Sequence, residues 1–168
     1  MIDTAFFHDI VHAMNKKTGL ITANQVQQFQ ALTTKLYQCC QERMQYQSER
    51  FELPDAELRC LMLFGEERYL TASGIAYKLN VVKSRVTRII SGLEQKGLIQ
   101  RVKDPKDSRV TLLRLTPDGA KRLEEIKTFI SDLHYEILSH MASPQRRALL
   151  DDLNLLKNSM EAVKELMV

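Results

Sequence analysis

The chain has 168 residues, 44% hydrophobic and 27% charged, the balance of an ordinary globular domain, which excludes disorder over most of its length. Its longest apolar run, Leu61-Met62-Leu63-Phe64, breaks at once on Gly65-Glu66-Glu67-Arg68, far short of the roughly 18 residues of a membrane span. The net charge of +3 is unevenly spread: residues 71–115 hold ten basic and three acidic side chains, +7, while the other 123 residues sum to −4.

A basic block inside an otherwise acidic chain is the footprint of a polyanion site; the alternative is a solvated basic face that binds nothing. Asp3, His8 and Asp9 near the start do not match the basic-then-apolar order of a secretory signal. Three cysteines, two of them adjacent, argue against a disulfide framework and for a reducing, cytoplasmic location.

In chain order, Phe6, Phe7, Ile10, Val11 and Met14 predict a short amphipathic helix that the cluster Asn15-Lys16-Lys17-Thr18-Gly19 ends. A long helix is expected over about residues 24–49, with Val26, Phe29, Leu32, Leu36, Cys40 and Met44 at helical spacing and glutamines on its other face. Pro54 stands where a first helical position should be; Leu58, Leu61 and Met62 continue the stripe until Gly65.

Thr71 is a good N-cap for a helix over residues 72–79, and Asn80 tolerates the left-handed conformation that turns the chain out of it. A second helix runs over about residues 82–96 and closes on Gly97. Two short strands, residues 98–103 and 109–115, flank the polar loop 104–108 as a hairpin. Thr116-Pro117 and Ser143-Pro144 each start a long helix. The first carries Leu123, Ile126, Phe129, Ile130, Leu133, Ile137 and Met141, and the second Leu149, Leu153, Leu156, Met160, Val163 and Leu166. The fold class is therefore mainly α with a small β hairpin. The outer helices carry more apolar positions than one small central unit can cover, so a second copy of the chain, a homodimer, is expected.

In the second central helix Val86, Ile89, Ile90 and Leu93 fall at i, i+3, i+4 and i+7 and define a buried face. Ser84, Arg88, Ser91 and Gln95 point the other way, with Arg85 on the shoulder. Arginine can donate two parallel hydrogen bonds to a guanine edge, glutamine can pair with adenine, and serine reaches bases or phosphate. A helix packed on one side and furnished this way on the other is built to read DNA, and the capped helix, turn and hairpin around it favour that reading over an ordinary polar surface. Ser84, Arg85 and Arg88 are assigned to base or near-base contacts, and Lys83, Thr87 and Arg101 to phosphate. Lys106 and Arg109, in the hairpin loop, are placed to enter an adjacent minor groove, where narrow A·T-rich DNA concentrates negative potential. Asp104 and Asp107 are expected to accept backbone or arginine hydrogen bonds that fix the loop, simple turn chemistry being the alternative.

These residues resemble a family. Leu70-Thr71-Ala72-Ser73-Gly74-Ile75-Ala76, then Lys83-Ser84-Arg85-Val86-Thr87-Arg88-Ile89-Ile90, then Leu93-Glu94-Gln95-Lys96-Gly97-Leu98-Ile99 look like the winged helix-turn-helix of MarR-type (multiple antibiotic resistance) transcriptional regulators. Asp104-Pro105-Lys106-Asp107-Ser108-Arg109, followed by Leu115-Thr116-Pro117-Asp118-Gly119, is similar to that family's wing and its exit into a dimerisation helix. The match is closest over residues 53–119. The resemblance implies a winged helix-turn-helix lobe at residues 51–116, flanked by N-terminal (1–50) and C-terminal (117–168) dimerisation helices. It also implies a homodimeric regulator, a repressor, that binds near-palindromic double-stranded operators and carries a ligand crevice between the dimerisation helices and the DNA-binding lobe. A small aromatic or phenolic effector is the expected ligand.

Two features depart from the family pattern. Val82 stands just before the recognition helix, where an acidic or polar cap is frequent, and about 20 residues precede the first long helix. Competing readings are a protein-interaction module that uses the winged helix, and a cysteine-based redox-responsive regulator. The family's hydroperoxide sensors carry their reactive cysteine nearer the start of the first long helix, where this chain has Gln27 and Gln28. Cys39, Cys40 and Cys60 are accordingly expected to be buried, inert thiols. His8 and His12 lack further ligands nearby for a metal. No phosphate loop, nucleophile elbow or partnered nucleophile is present, so no cofactor, metal or enzymatic activity is expected.

Overall fold

The computed structural model describes residues 21–105, 107 and 109–166. The short helix expected around Phe6, with His8 and His12, lies outside the described residues, as does Lys106. Eight elements follow in order: α1 (Ala23–Phe51), α2 (Asp55–Leu63), α3 (Ala72–Leu79), α4 (Lys83–Gln95), β1 (Ile99–Lys103), β2 (Thr111–Leu115), α5 (Pro117–Ser139) and α6 (Ser143–Glu165). The chain is mainly α with a small β wing. Among the described residues no helix is long and apolar enough to cross a membrane.

Two compact units divide the chain: residues 39–135, and residues up to Gln38 together with those from Glu136 onward. The first contains the core. Leu53, Cys60, Leu61, Ile75, Val86, Ile90, Leu93, Leu113 and Ile126 are essentially inaccessible to solvent, which brings α2, α3, α4, the wing and the first half of α5 around one apolar centre. In the second unit no residue of α6 is buried, and Val26, Phe29, Leu32 and Leu36 of α1, with Leu150, Leu153, Met160 and Val163 of α6, are exposed.

Local chemistry sets the helix ends. Thr71 Oγ1 accepts the Gly74 N–H at 3.0 Å and starts α3; Asn80 closes it in the left-handed region at φ 53°, ψ 52°, which its short amide side chain tolerates. Val82 is the N-cap of α4 and makes no side-chain cap bond. Gly97 leaves the far end of α4 at φ +69°, a conformation open to glycine. Pro54 differs from expectation by one position. It is the N-cap of α2 at φ −50°, ψ 143°, and its carbonyl accepts from Glu57 N at 2.8 Å and Leu58 N at 3.0 Å, so Asp55 begins the helix.

The wing pairs antiparallel from Ile99↔Leu115 to Lys103↔Thr111. A third, one-residue bridge joins Leu70 to Leu113 through Leu70 N to Leu113 O at 3.0 Å and Leu113 N to Leu70 O at 2.8 Å. It ties the segment before α3 to the wing. Where the wing runs into α5, Thr116 Oγ1 accepts from Gly119 N at 3.0 Å and donates to Gly97 O at 2.6 Å.

Candidate nucleic-acid interface

The recognition helix is anchored on its apolar side by Val86, Ile89, Ile90 and Leu93. Its other side is open: Lys83, Ser84, Arg85, Thr87, Arg88 and Gln95 are exposed, and Ser91 is half-buried. Arg85 and Arg88 line, with Val82 and Ser84, a concavity of about 570 Å³ between the start of α2 and α4. The Thr87 hydroxyl, read from sequence as a phosphate ligand, donates its one proton to Lys83 O at 3.2 Å and must turn away from it to donate to a phosphate.

Two ion pairs hold α4 in place. Glu57, only 8% exposed, reaches across from α2 to Lys96 Nζ at 2.9 Å. Gly92 makes this approach possible, since a Cβ there would run into the Glu57 carboxylate. On the wing side Arg101 donates to Glu94 through both Nε to Oε1 at 2.8 Å and Nη2 to Oε2 at 3.0 Å. Arg101, read from sequence as a phosphate ligand, therefore has two of its five N–H groups committed to α4. Lys78 is likewise paired, with Glu67 at 2.8 Å, and the hydrogen bond and charge of Glu67 hold its ammonium above the usual lysine range. Lys83, Arg85 and Arg88 form no ion pair among the described residues. Three acids of this lobe, Glu57, Glu67 and Glu94, are spent on cations off the outward face of α4, whose own charged residues there, Lys83, Arg85 and Arg88, are all basic.

In the wing loop Asp107 Oδ1 accepts the Arg109 N–H at 2.9 Å, and Asp104 N donates to Val110 O at 3.1 Å. The Arg109 side chain is exposed at the loop; Lys106 lies outside the described residues. Tyr77, 88% exposed on α3, is a surface feature that sequence patterning missed. Tyrosine within a helical run reads as a half-buried residue, but the first helix of such a pair crosses the phosphate backbone, where a phenol can donate.

This geometry, a capped helix, a turn, an outward-facing cationic helix and a two-stranded wing, matches known proteins. The MarR family model covers residues 53–111. The chain is 32% identical over 108 residues to the HTH-type transcriptional regulator YdgJ of Bacillus subtilis (strain 168), spanning 64% of this chain and 65% of that one, just under two thirds of the relative. It is 30% identical over 105 residues to the HTH-type transcriptional regulator BilQ of Clostridioides difficile (strain CD3), covering 62% of this chain and 71% of BilQ.

The chain belongs to the MarR family.

Its fold is also that of Streptococcus pneumoniae FabT, solved in complex with DNA, with a TM-score of 0.71 at 22% identity over 80% of this chain and 99% of FabT. Within this MarR-family fold the thiols of α1 differ from the sequence expectation. Cys60 is buried, but Cys39 and Cys40 are exposed, because α1 buries only Gln47 and Phe51 along its length. Burial first, and then the charge of Glu57, push the Cys60 thiol up to about 12. At about pH 8 Cys60 of the folded protein should therefore resist alkylation and react only after denaturation, as peptide mass mapping would record. Early modification of Cys60 would contradict its placement.

A second cavity, about 590 Å³, lies between the end of α1 and α5, where Arg50, Phe51, Lys121 and Phe129 share the lining with the acids Glu124, Glu125 and Asp132. Phe51 meets Phe129 edge-on at 5.6 Å, and the Arg50 guanidinium stands 4.6 Å from the Phe129 ring centre.

Proposed function

We propose that this MarR-family protein is a homodimeric, ligand-responsive repressor that lays α4 of each protomer in the major groove of a near-palindromic operator. The observation that carries this reading is the outward placement of Arg85 and Arg88 opposite the buried face of their helix, with no ion pair among the described residues. Ser84, Arg85 and Arg88 then meet base edges, Lys83 meets phosphate, Thr87 does so once its hydroxyl turns from Lys83 O to donate outward, and the N–H groups of Arg101 not held by Glu94 add a phosphate contact. The wing, with Lys106 and Arg109, enters the flanking minor groove. FabT, a structural neighbour with DNA bound, supports the choice of ligand.

The exposed apolar stripes of α1 and α6 support pairing with a second copy through the N- and C-terminal helices, residues 1–50 and 117–168. A two-fold dimer sets its half-sites about 34 Å apart, one helical turn. If each protomer neutralises about five phosphates, log affinity falls against log salt with a slope near −9. Titration of a fluorescent duplex across a salt series checks this. A slope shallower than about −3 would remove the electrostatic half of the reading. Absence of binding to random duplex at low salt would instead favour a protein-interaction module.

Regulation works through geometry. The aromatic pair Phe51–Phe129 under Arg50 suits a small aromatic or phenolic effector, whose ring stacks on phenylalanine while its oxygen meets the guanidinium. An effector that favours a dimer with its recognition helices wrongly spaced needs a coupling of only about 1–3 kcal/mol, roughly five- to 150-fold in affinity.

A further inference from the structure

Val82 occupies a position whose usual chemistry it lacks. As the N-cap of α4 it makes no side-chain cap bond, where serine, threonine or aspartate would satisfy an N–H of the first turn. Its isopropyl group is not used for packing either, being 70% exposed. A single exposed valine is common on any surface, but this one shares its concavity with Ser84, Arg85 and Arg88. That edge holds the N-terminal residues of the recognition helix, the part that meets base edges in a helix-turn-helix. Arginine and serine supply donors there; of the apolar residues that also line it, Pro54, Ala56, Val82 and Ile89, Val82 alone stands in the turn that opens the recognition helix. The major groove has one matching apolar feature, the C5-methyl group of thymine.

We propose that Val82 is a specificity-determining residue that packs its isopropyl group on a thymine methyl, fixing one A·T position in each half-site. The inference rests on the groove reading above and adds to it a named base contact that carries no hydrogen bond. It also accounts for the missing cap: a polar side chain at this place would turn back onto its own helix and leave the methyl without a partner.

The test begins by selecting bound duplexes from a random pool with the full chain. Each thymine of the selected site is then replaced in turn by uracil, which deletes one methyl group and leaves every hydrogen-bonding atom in place. At one symmetric position per half-site the parent protein should lose about four-fold in affinity per methyl, the equivalent of ~0.8 kcal/mol. In Val82→Ser that penalty should vanish while dependence on the other bases persists, and the variant, which regains a capping oxygen, should melt no lower than the parent. Val82→Ala, which keeps the backbone and removes the contact, should behave the same way. The inference is overturned if no thymine is sensitive to uracil, or if both variants retain the full penalty. A parent protein that selects no sequence at all overturns the groove reading itself, a distinct outcome.

Discussion

Arg88→Ala should cost about 10- to 100-fold in affinity for a selected operator per protomer and far less for random duplex, because a bidentate arginine–guanine contact is worth ~1–3 kcal/mol of discrimination. The structure gives the physical reason to single out this residue. Arg88 lies on the exposed side of α4, with Ile89 and Ile90 buried behind it, so removing its side chain opens no cavity and breaks no ion pair among the described residues. The loss is therefore one of recognition and not of folding. Lys83→Ala should act differently, weakening specific and random duplexes alike and reducing the salt slope by about two, one phosphate contact being lost from each protomer. Lys106→Ala should likewise fall well short of Arg88→Ala. Binding measured on both duplexes across a salt series separates these roles. Equal small losses for Arg88→Ala and Lys106→Ala would remove the base-contact assignment.

The largest stability effect should come from Gly119→Ala. Gly119 is buried in the first turn of α5, and a Cβ there would coincide with the main-chain carbonyl of Leu98. That carbonyl also accepts the Thr116 N–H at 3.1 Å, so it cannot swing away without releasing a bond of its own. Overpacking against main chain costs about 1–3 kcal/mol, occasionally more, and the denaturant midpoint at fixed protein concentration should fall accordingly. Gly92→Ala should cost less, since its clash is with the end of the Glu57 side chain, which can rotate at the expense of its pairing with Lys96. An alanine at position 119 with an unchanged midpoint would mean that the wing and α5 do not meet as closely as described.

Features governed by near neighbours were legible from the residues themselves. Thr71 caps α3, Asn80 and Gly97 take the left-handed turns their side chains permit, and the four apolar residues of α4 face inward, which leaves Arg85 and Arg88 outward. The hairpin could be read from its residue types. The Leu70–Leu113 bridge could not, because a one-residue strand has no period. Nor could the pairing of Glu57 with Lys96 or of Arg101 with Glu94, since the meeting of charges from separate elements depends on packing. Arg101 is accordingly a phosphate ligand on the sequence alone and a partner of Glu94 in the structure. The exposure of Cys39 and Cys40 was missed because the apolar stripe of α1 signals burial without saying whether its own chain supplies the cover. Pro54 was placed one residue too far into its helix, an ambiguity inherent in a residue that suits both sides of a helix start.

The Thr116 hydroxyl has mechanical significance. One oxygen grips both the outgoing main chain of the reading helix at Gly97 and the incoming first turn of α5 at Gly119, with no spacer residue to absorb strain. The start of α5 and the exit of α4 are thus coupled through a single side chain. Under the regulation proposed above, a small molecule wedged beside α5 therefore acts on the arginines of α4 through this one side chain.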